Sequence, residues 1–440
     1  MGSTQLGAPV SDWLRRDAAS VWHPFTQHGM WLEDEPTVVD RAEGPWLYDT
    51  DGRKYLDGVS SLWVTTFGHR TPEIDAAIIA QLGKLDHSTF LGATHTPGIE
   101  LAEKLLALTP GLDKVFYAGD GSSAVEAGLK IAYQYSVQSG QPRPLFVHLS
   151  EAYHGDTLGA VSVGGMKLFH ATYRPLLLKT ATVGSPGLRA PGQTPVERAA
   201  EVIKELEAVM AAQGDQVCAI VLEPMVQAAA GMLTYDASFL RAARELATKY
   251  GALLMVDEVA TGIARTGPMW AHQHAGITPD LLTCGKGITA GYLPLSAVLA
   301  TDEVYSAFLG APEKTFFHGH TYTANPLACA AANANLTLAV ERDLPGQVAV
   351  LGARLADLLK PVGDRDSVVE IRQLGAMIGV EVANVRHRTG FEVCRAARKR
   401  GVWLRPLGDT VILMPPLTLG EAEQNLMVEA LAEAIDEVVR

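Results

Sequence analysis

Through the middle of the chain, short apolar runs recur between longer stretches whose apolar positions fall three or four residues apart. Residues 115–118, 145–149, 217–222, 253–256, 281–283 and 295–300 are such runs. Runs of this length separated by helical periodicity predict βα units around a mostly parallel sheet. Leu253-Leu254-Met255-Val256 is apolar on both strand faces, as expected of a strand covered by helices on each side.

The two ends of the chain read differently. Trp46-Leu47-Tyr48 and Lys54-Tyr55-Leu56 flank Asp51-Gly52, a pair suited to positive φ, which predicts a hairpin. Thr71-Pro72-Glu73 reads as an N-cap, a first-turn proline and an acid ahead of Ile74, Ile78, Leu82 and Leu85, and Thr96-Pro97 repeats the device. After about Asn325 come an Ala-rich helix, an amphipathic stretch around 351–359, alternating segments at 368–382 and 402–414, and Thr418 with Glu421 as a capping box. The pattern predicts a large α/β domain over 66–325 and a smaller α+β domain over 326–440, with an N-terminal segment, 1–65, packing on the latter.

Composition narrows the class of function. Hydrophobic residues make up 48% and charged residues 19% of the 440, which excludes a disordered body. A net charge of −13 argues against nucleic acid or an anionic membrane as partner and leaves small-molecule substrates. Cys218, Cys284, Cys329 and Cys394 lie far apart with no CxxC pair, so they read as reduced, buried thiols of a cytoplasmic protein, with no metal site. Residues 1–20 hold no apolar leader core and no run could span a bilayer, so neither secretion nor a membrane anchor is expected.

The candidate chemistry lies where apolar runs end. Asp257 closes one run, and Lys286, between Gly285 and Gly287, follows the next. Ligands of open α/β sheets bind outside the carboxyl ends of strands, so the two could share a crevice. A desolvated lysine supplies the free amine of Schiff-base chemistry, and a buried carboxylate suits the pyridinium nitrogen of pyridoxal phosphate (PLP). Taken residue by residue, a surface lysine after a strand and an aspartate capping the next helix are the commoner reading, and spacing alone does not separate them. Gly119-Asp120-Gly121-Ser122-Ser123, ahead of a helix from about Ala124, could cradle a phosphate or simply cap that helix. No GxGxxG or GxxxxGK[ST] is present. Tyr153, in Tyr153-His154-Gly155-Asp156-Thr157, could stack on a planar cofactor. Glu223 and Arg265 are further candidates at the same sheet edge, and Arg405, in an apolar stretch, needs a carboxylate from the protein or a substrate.

Taken in order, VDEVATGIARTG, the glycine-flanked Lys286, YHGDT and the Gly/Ser loop resemble the fold-type I, class III PLP-dependent aminotransferases across most of the chain. WHPFTQ, DGVSSLW, HSTFLGATHTPGIELAEKL, FFHGHTYTANPLACAAA and RPLGDTVILMPPL narrow the resemblance to the branch serving biotin biosynthesis. The resemblance implies that Lys286 carries the cofactor and moves the proton, Asp257 keeps the pyridine nitrogen protonated, and Tyr153 stacks on the ring. It further implies that Gly121 and Ser122 hold the phosphate, joined by Thr321 from the neighbouring subunit of a homodimer. Arg405 would bind the carboxylate of an oxo acid, with Phe25, Leu62, Trp63, Arg265 and Gly319 completing the substrate site. The amino donor would be S-adenosylmethionine or lysine. Phe25 and Leu62 stand where the S-adenosylmethionine branch has a tyrosine and a tryptophan, and FFHGHTYT is closer to the lysine branch. Asp120 replaces a small residue, and its carboxylate is expected to point away from the phosphate. Another class III enzyme, acting on an ω-amino acid, ornithine or a diamine, stays open.

Overall fold

The computed structural model describes residues 11–439, so the first half of the segment read as lacking a leader core lies outside the described residues. A seven-stranded sheet forms the centre, in the order Lys114–Ala118, Ser296–Ala300, Leu281–Cys284, Leu253–Asp257, Val217–Leu222, Leu145–Leu149, Thr180–Val183. Strands pair in parallel from Leu281–Cys284 to Thr180–Val183, whereas Ser296–Ala300 is antiparallel to both its neighbours.

Burial explains why these strands read as continuous apolar runs. Every residue of Leu253–Asp257 and Val217–Leu222 is buried. Leu253 and Met255 pack with Ala124, Val125 and Leu129 of the helix Gly121–Gln138, while Leu254 and Val256 face a core containing Phe239 and Leu240 of the helix Ala237–Tyr250. Thr180–Val183 went unpredicted because it is an edge strand, only partly buried and with polar side chains.

Two four-stranded sheets flank this layer. One joins Val368–Leu374, Met377–Val382, Thr410–Leu413 and Arg405–Leu407 in antiparallel order. The other holds Val39–Glu43 and the hairpin Trp46–Asp49/Lys54–Asp57, whose second strand pairs in parallel with Val402–Trp403 near the far end of the chain. Only Gly52 of the turn pair takes positive φ, +82°. Among the described residues no helix is long and apolar enough to cross a membrane. All four cysteines are buried and free.

The expected caps are met only in part. Thr71 precedes the helix Pro72–Leu82, but its hydroxyl donates to the Gly68 carbonyl, while Leu82 is exposed and Leu85 lies past the helix end. The cap of Thr96–Leu108 is His95, whose Nδ1 accepts from the Gly98 amide. Gly420, not Thr418, precedes the last helix, Glu421–Val438, and the Thr418 hydroxyl donates to the Phe67 carbonyl. Gly121–Gln138 begins at the Gly/Ser loop itself, with Asp120 as its N-cap.

Candidate active site

Carboxyl ends of the central strands deliver their next residues to one cavity of about 450 Å³. Trp63, Gly121, Ser122, Tyr153, Glu223, Asp257 and Lys286 line it. Asp257 and Lys286 therefore do share a crevice. Parallel pairing of Leu253–Asp257 with Leu281–Cys284 brings them there, since equivalent strand ends lie side by side.

Lys286 has a backbone φ of +43°, a region costly for a side-chain-bearing residue and common where chemistry constrains the chain. Its Nζ lies 5.3 Å from the Trp63 ring centroid. Burial pushes the amine below its ordinary pKa, with Asp257 and Glu223 pulling the other way. The Asp257 carboxylate is held by three donors. Oδ2 is 2.7 Å from His154 Nδ1, and Oδ1 accepts from the Thr283 hydroxyl at 3.1 Å and the Val259 amide at 3.0 Å. Burial opposes charge on His154, but the bond and charge of Asp257 outweigh it, so the imidazole pKa is raised. His154 Nε2 is buried without a partner among the described residues.

The Tyr153 backbone N–H donates to Glu223 Oε2 at 3.1 Å, and its hydroxyl donates to Asp156 at 2.8 Å. Burial raises the pKa of that hydroxyl and pushes the Glu223 carboxyl up to about 7. The Tyr153 ring meets Phe169 edge-on at 6.2 Å, and Phe25 meets Phe169 at 5.4 Å, so an aromatic wall runs from the cavity to the exposed Phe25. On the opposite rim, Ser60, Ser61 and Trp63 take φ of +51°, +61° and +67°, with Leu62 half-exposed between them.

At the Gly/Ser loop, Ser122 and Thr157 hydroxyls lie 2.8 Å apart and the Thr157 amide donates to Ser122 Oγ. A Cβ on Gly121 would stand 2.7 Å from Val259 Cγ1, so only glycine lets the helix start this close to the cavity floor. Gly319 and Thr321 are exposed and outside the cavity lining, although the adjacent His320 packs against Gly119. Arg405 is half-buried, outside the cavity lining, and pairs with no carboxylate among the described residues; burial lowers its pKa, with Cys394 and Tyr153 acting the other way.

Arg265 departs from the expected substrate set. It is buried away from the cavity lining, and its guanidinium donates to the Pro415 carbonyl at 2.6 Å and the Thr65 carbonyl at 2.7 Å. Burial pushes it down to about 9, with Asp57 acting the other way. This arginine ties the N-terminal segment to a C-terminal loop. Sequence reasoning also passed over His154. A histidine directly after the ring-stacking candidate was the available signal.

The fold, a parallel-rich sheet with lysine and aspartate at adjacent strand ends, is that of PLP-dependent aminotransferases of known structure. Residues 31–435 match the model of the aminotransferase class-III family, and the chain belongs to that PLP-dependent family. It is 47% identical over 436 residues to adenosylmethionine-8-amino-7-oxononanoate aminotransferase of Nitratidesulfovibrio vulgaris, covering 95% of this chain and 80% of the relative. The Aquifex aeolicus protein of the same name is 46% identical, with 96% of each chain covered. The crystal structure of the Methanocaldococcus jannaschii protein of that name superposes with a TM-score of 0.91 at 37% identity, covering 96% of this chain and 98% of that one. An amine transaminase from an uncultivated Pseudomonas species, solved with PLP bound, gives 0.91 at 36% identity over 95% and 98% of the two chains.

Proposed function

We propose that this chain transfers an amino group to 8-amino-7-oxononanoate, yielding 7,8-diaminononanoate for biotin biosynthesis, as a cytoplasmic homodimer. The names of the relatives support the substrate, and Arg405 is the observation that carries it. A half-buried guanidinium without a carboxylate partner among the described residues supplies what the carboxylate end of an oxo acid requires.

Bound in the cavity, PLP supplies an aldehyde that captures amines and a ring that takes up the electrons of a broken C–H bond. The residues present fit such a group: a desolvated amine, a fixed carboxylate and a glycine-opened helix end line one cavity. Lys286 Nζ, favoured as the neutral amine by burial, carries the cofactor and then accepts and returns a proton. Asp257, oriented by His154, Thr283 and Val259, holds a proton on the pyridine nitrogen. Tyr153, its position set by Glu223 through the backbone, would pack on the ring. Gly121, Ser122 and Thr157 take the phosphate, with Thr321 contributed by the partner subunit, and Trp63 and Leu62 border the substrate entrance.

The amino donor is S-adenosylmethionine, which the relatives' names support. Phe25 and Phe169 pack edge to face, and Phe169 meets Tyr153 of the cavity, so a sulfonium still has π-surface near the entrance despite Leu62. Truncating Arg405 to alanine should weaken oxononanoate binding by roughly 1.5–3 kcal/mol, the scale of a charge-assisted hydrogen bond. The half-reaction with the donor should change little. Stopped-flow traces in which both half-reactions suffer equally would reject the carboxylate role.

A further inference from the structure

The helix Gly121–Gln138 aims its N-terminus at the cavity, and its first amides, lacking intrahelical acceptors, favour an anion there. One anion is already in place. Asp120 Oδ1 accepts from the Ser123 amide and Oδ2 from the Ser123 hydroxyl, both at 3.0 Å. Its carbonyl accepts from the Ser296 hydroxyl at 2.6 Å and from the Ala124 amide at 3.0 Å, so the backbone is pinned from the sheet and from the helix. Asp120 lines the same cavity as Gly121, Ser122 and Thr157, and no cation forms an ion pair with it among the described residues.

We propose that Asp120 sets the affinity for the cofactor by opposing its phosphate. The carboxylate caps the helix. A phosphate brought to that helix end meets an uncompensated like charge that the pinned backbone cannot carry away. The cofactor is therefore held less tightly than the helix end alone would hold it and exchanges more readily with free phosphate esters. This inference rests on the PLP reading of the cavity.

The test is titration of the cofactor-free protein with PLP and, separately, with pyridoxal, which lacks the phosphate. Asp120→Asn keeps an acceptor for the Ser123 amide and removes the charge. It should bind PLP about tenfold tighter, the scale of one like-charge contact near a surface, while pyridoxal affinity and the melting temperature of the cofactor-free protein stay put. Inorganic phosphate alone should also bind the cofactor-free variant more tightly. Unchanged or weaker PLP binding, or an equal shift for PLP and pyridoxal, would overturn the proposal. If even the unaltered protein takes up no PLP and borohydride fixes no adduct, the cofactor reading itself fails, an outcome distinct from equal PLP binding by the two proteins.

Discussion

Lys286→Ala should leave a folded protein whose transamination rate falls by at least ~10⁴-fold, because in the proposed reaction one amine both carries the cofactor and moves the proton. Two features of the site argue for so large an effect. The +43° φ at Lys286 is maintained by its surroundings, with Gly287 packed against Ile263 and Gly285 against Ser296, so the backbone survives loss of the side chain. Burial lowers the pKa of this amine, which shifts it toward the neutral, nucleophilic form. Circular dichroism should show an unchanged fold, and peptide mapping after borohydride treatment of the unaltered protein should find the adduct on Lys286. An adduct on a different lysine would reject the assignment.

Asp257→Asn should be the second most damaging change, lowering turnover by about 10²–10⁴-fold. The substitution keeps the volume and loses the charge that favours a protonated ring nitrogen. It also disturbs the local network, because an asparagine offers one acceptor oxygen where the carboxylate met His154, Thr283 and Val259 with two. The His154 pKa is raised by Asp257, so its imidazole should titrate lower in the variant, a shift measurable by NMR. Near-native turnover, or a histidine that does not move, would contradict the arrangement.

The sheet was legible because its strands are buried on both faces, which turns each into a short apolar word between helices. Thr180–Val183, at the edge, carries no such word. The caps were less legible because a threonine hydroxyl can bond elsewhere: that of Thr71 turns to the nearby Gly68 carbonyl and that of Thr418 to the Phe67 carbonyl, far away in sequence, which only folding brings within reach. Within the site, Asp257 and Lys286 were readable from their places at strand ends. His154 was not, since its partner lies 103 positions away and only parallel pairing brings them together. Arg265 shows the converse: an arginine beyond a strand end resembles a substrate ligand until Thr65 and Pro415 are seen to occupy it. The strain at Ser60, Ser61 and Trp63 has no sequence signature, since none of the three is a glycine.

The central claim is tested most directly by incubating the PLP-loaded protein with 8-amino-7-oxononanoate and, in parallel reactions, S-adenosylmethionine or lysine, and following 7,8-diaminononanoate by mass spectrometry. Diaminononanoate should accumulate with S-adenosylmethionine and depend on Lys286 and Arg405. Product formed only with lysine would overturn the donor assignment, and no product with either donor, from a protein that binds PLP, would contradict the proposed reaction.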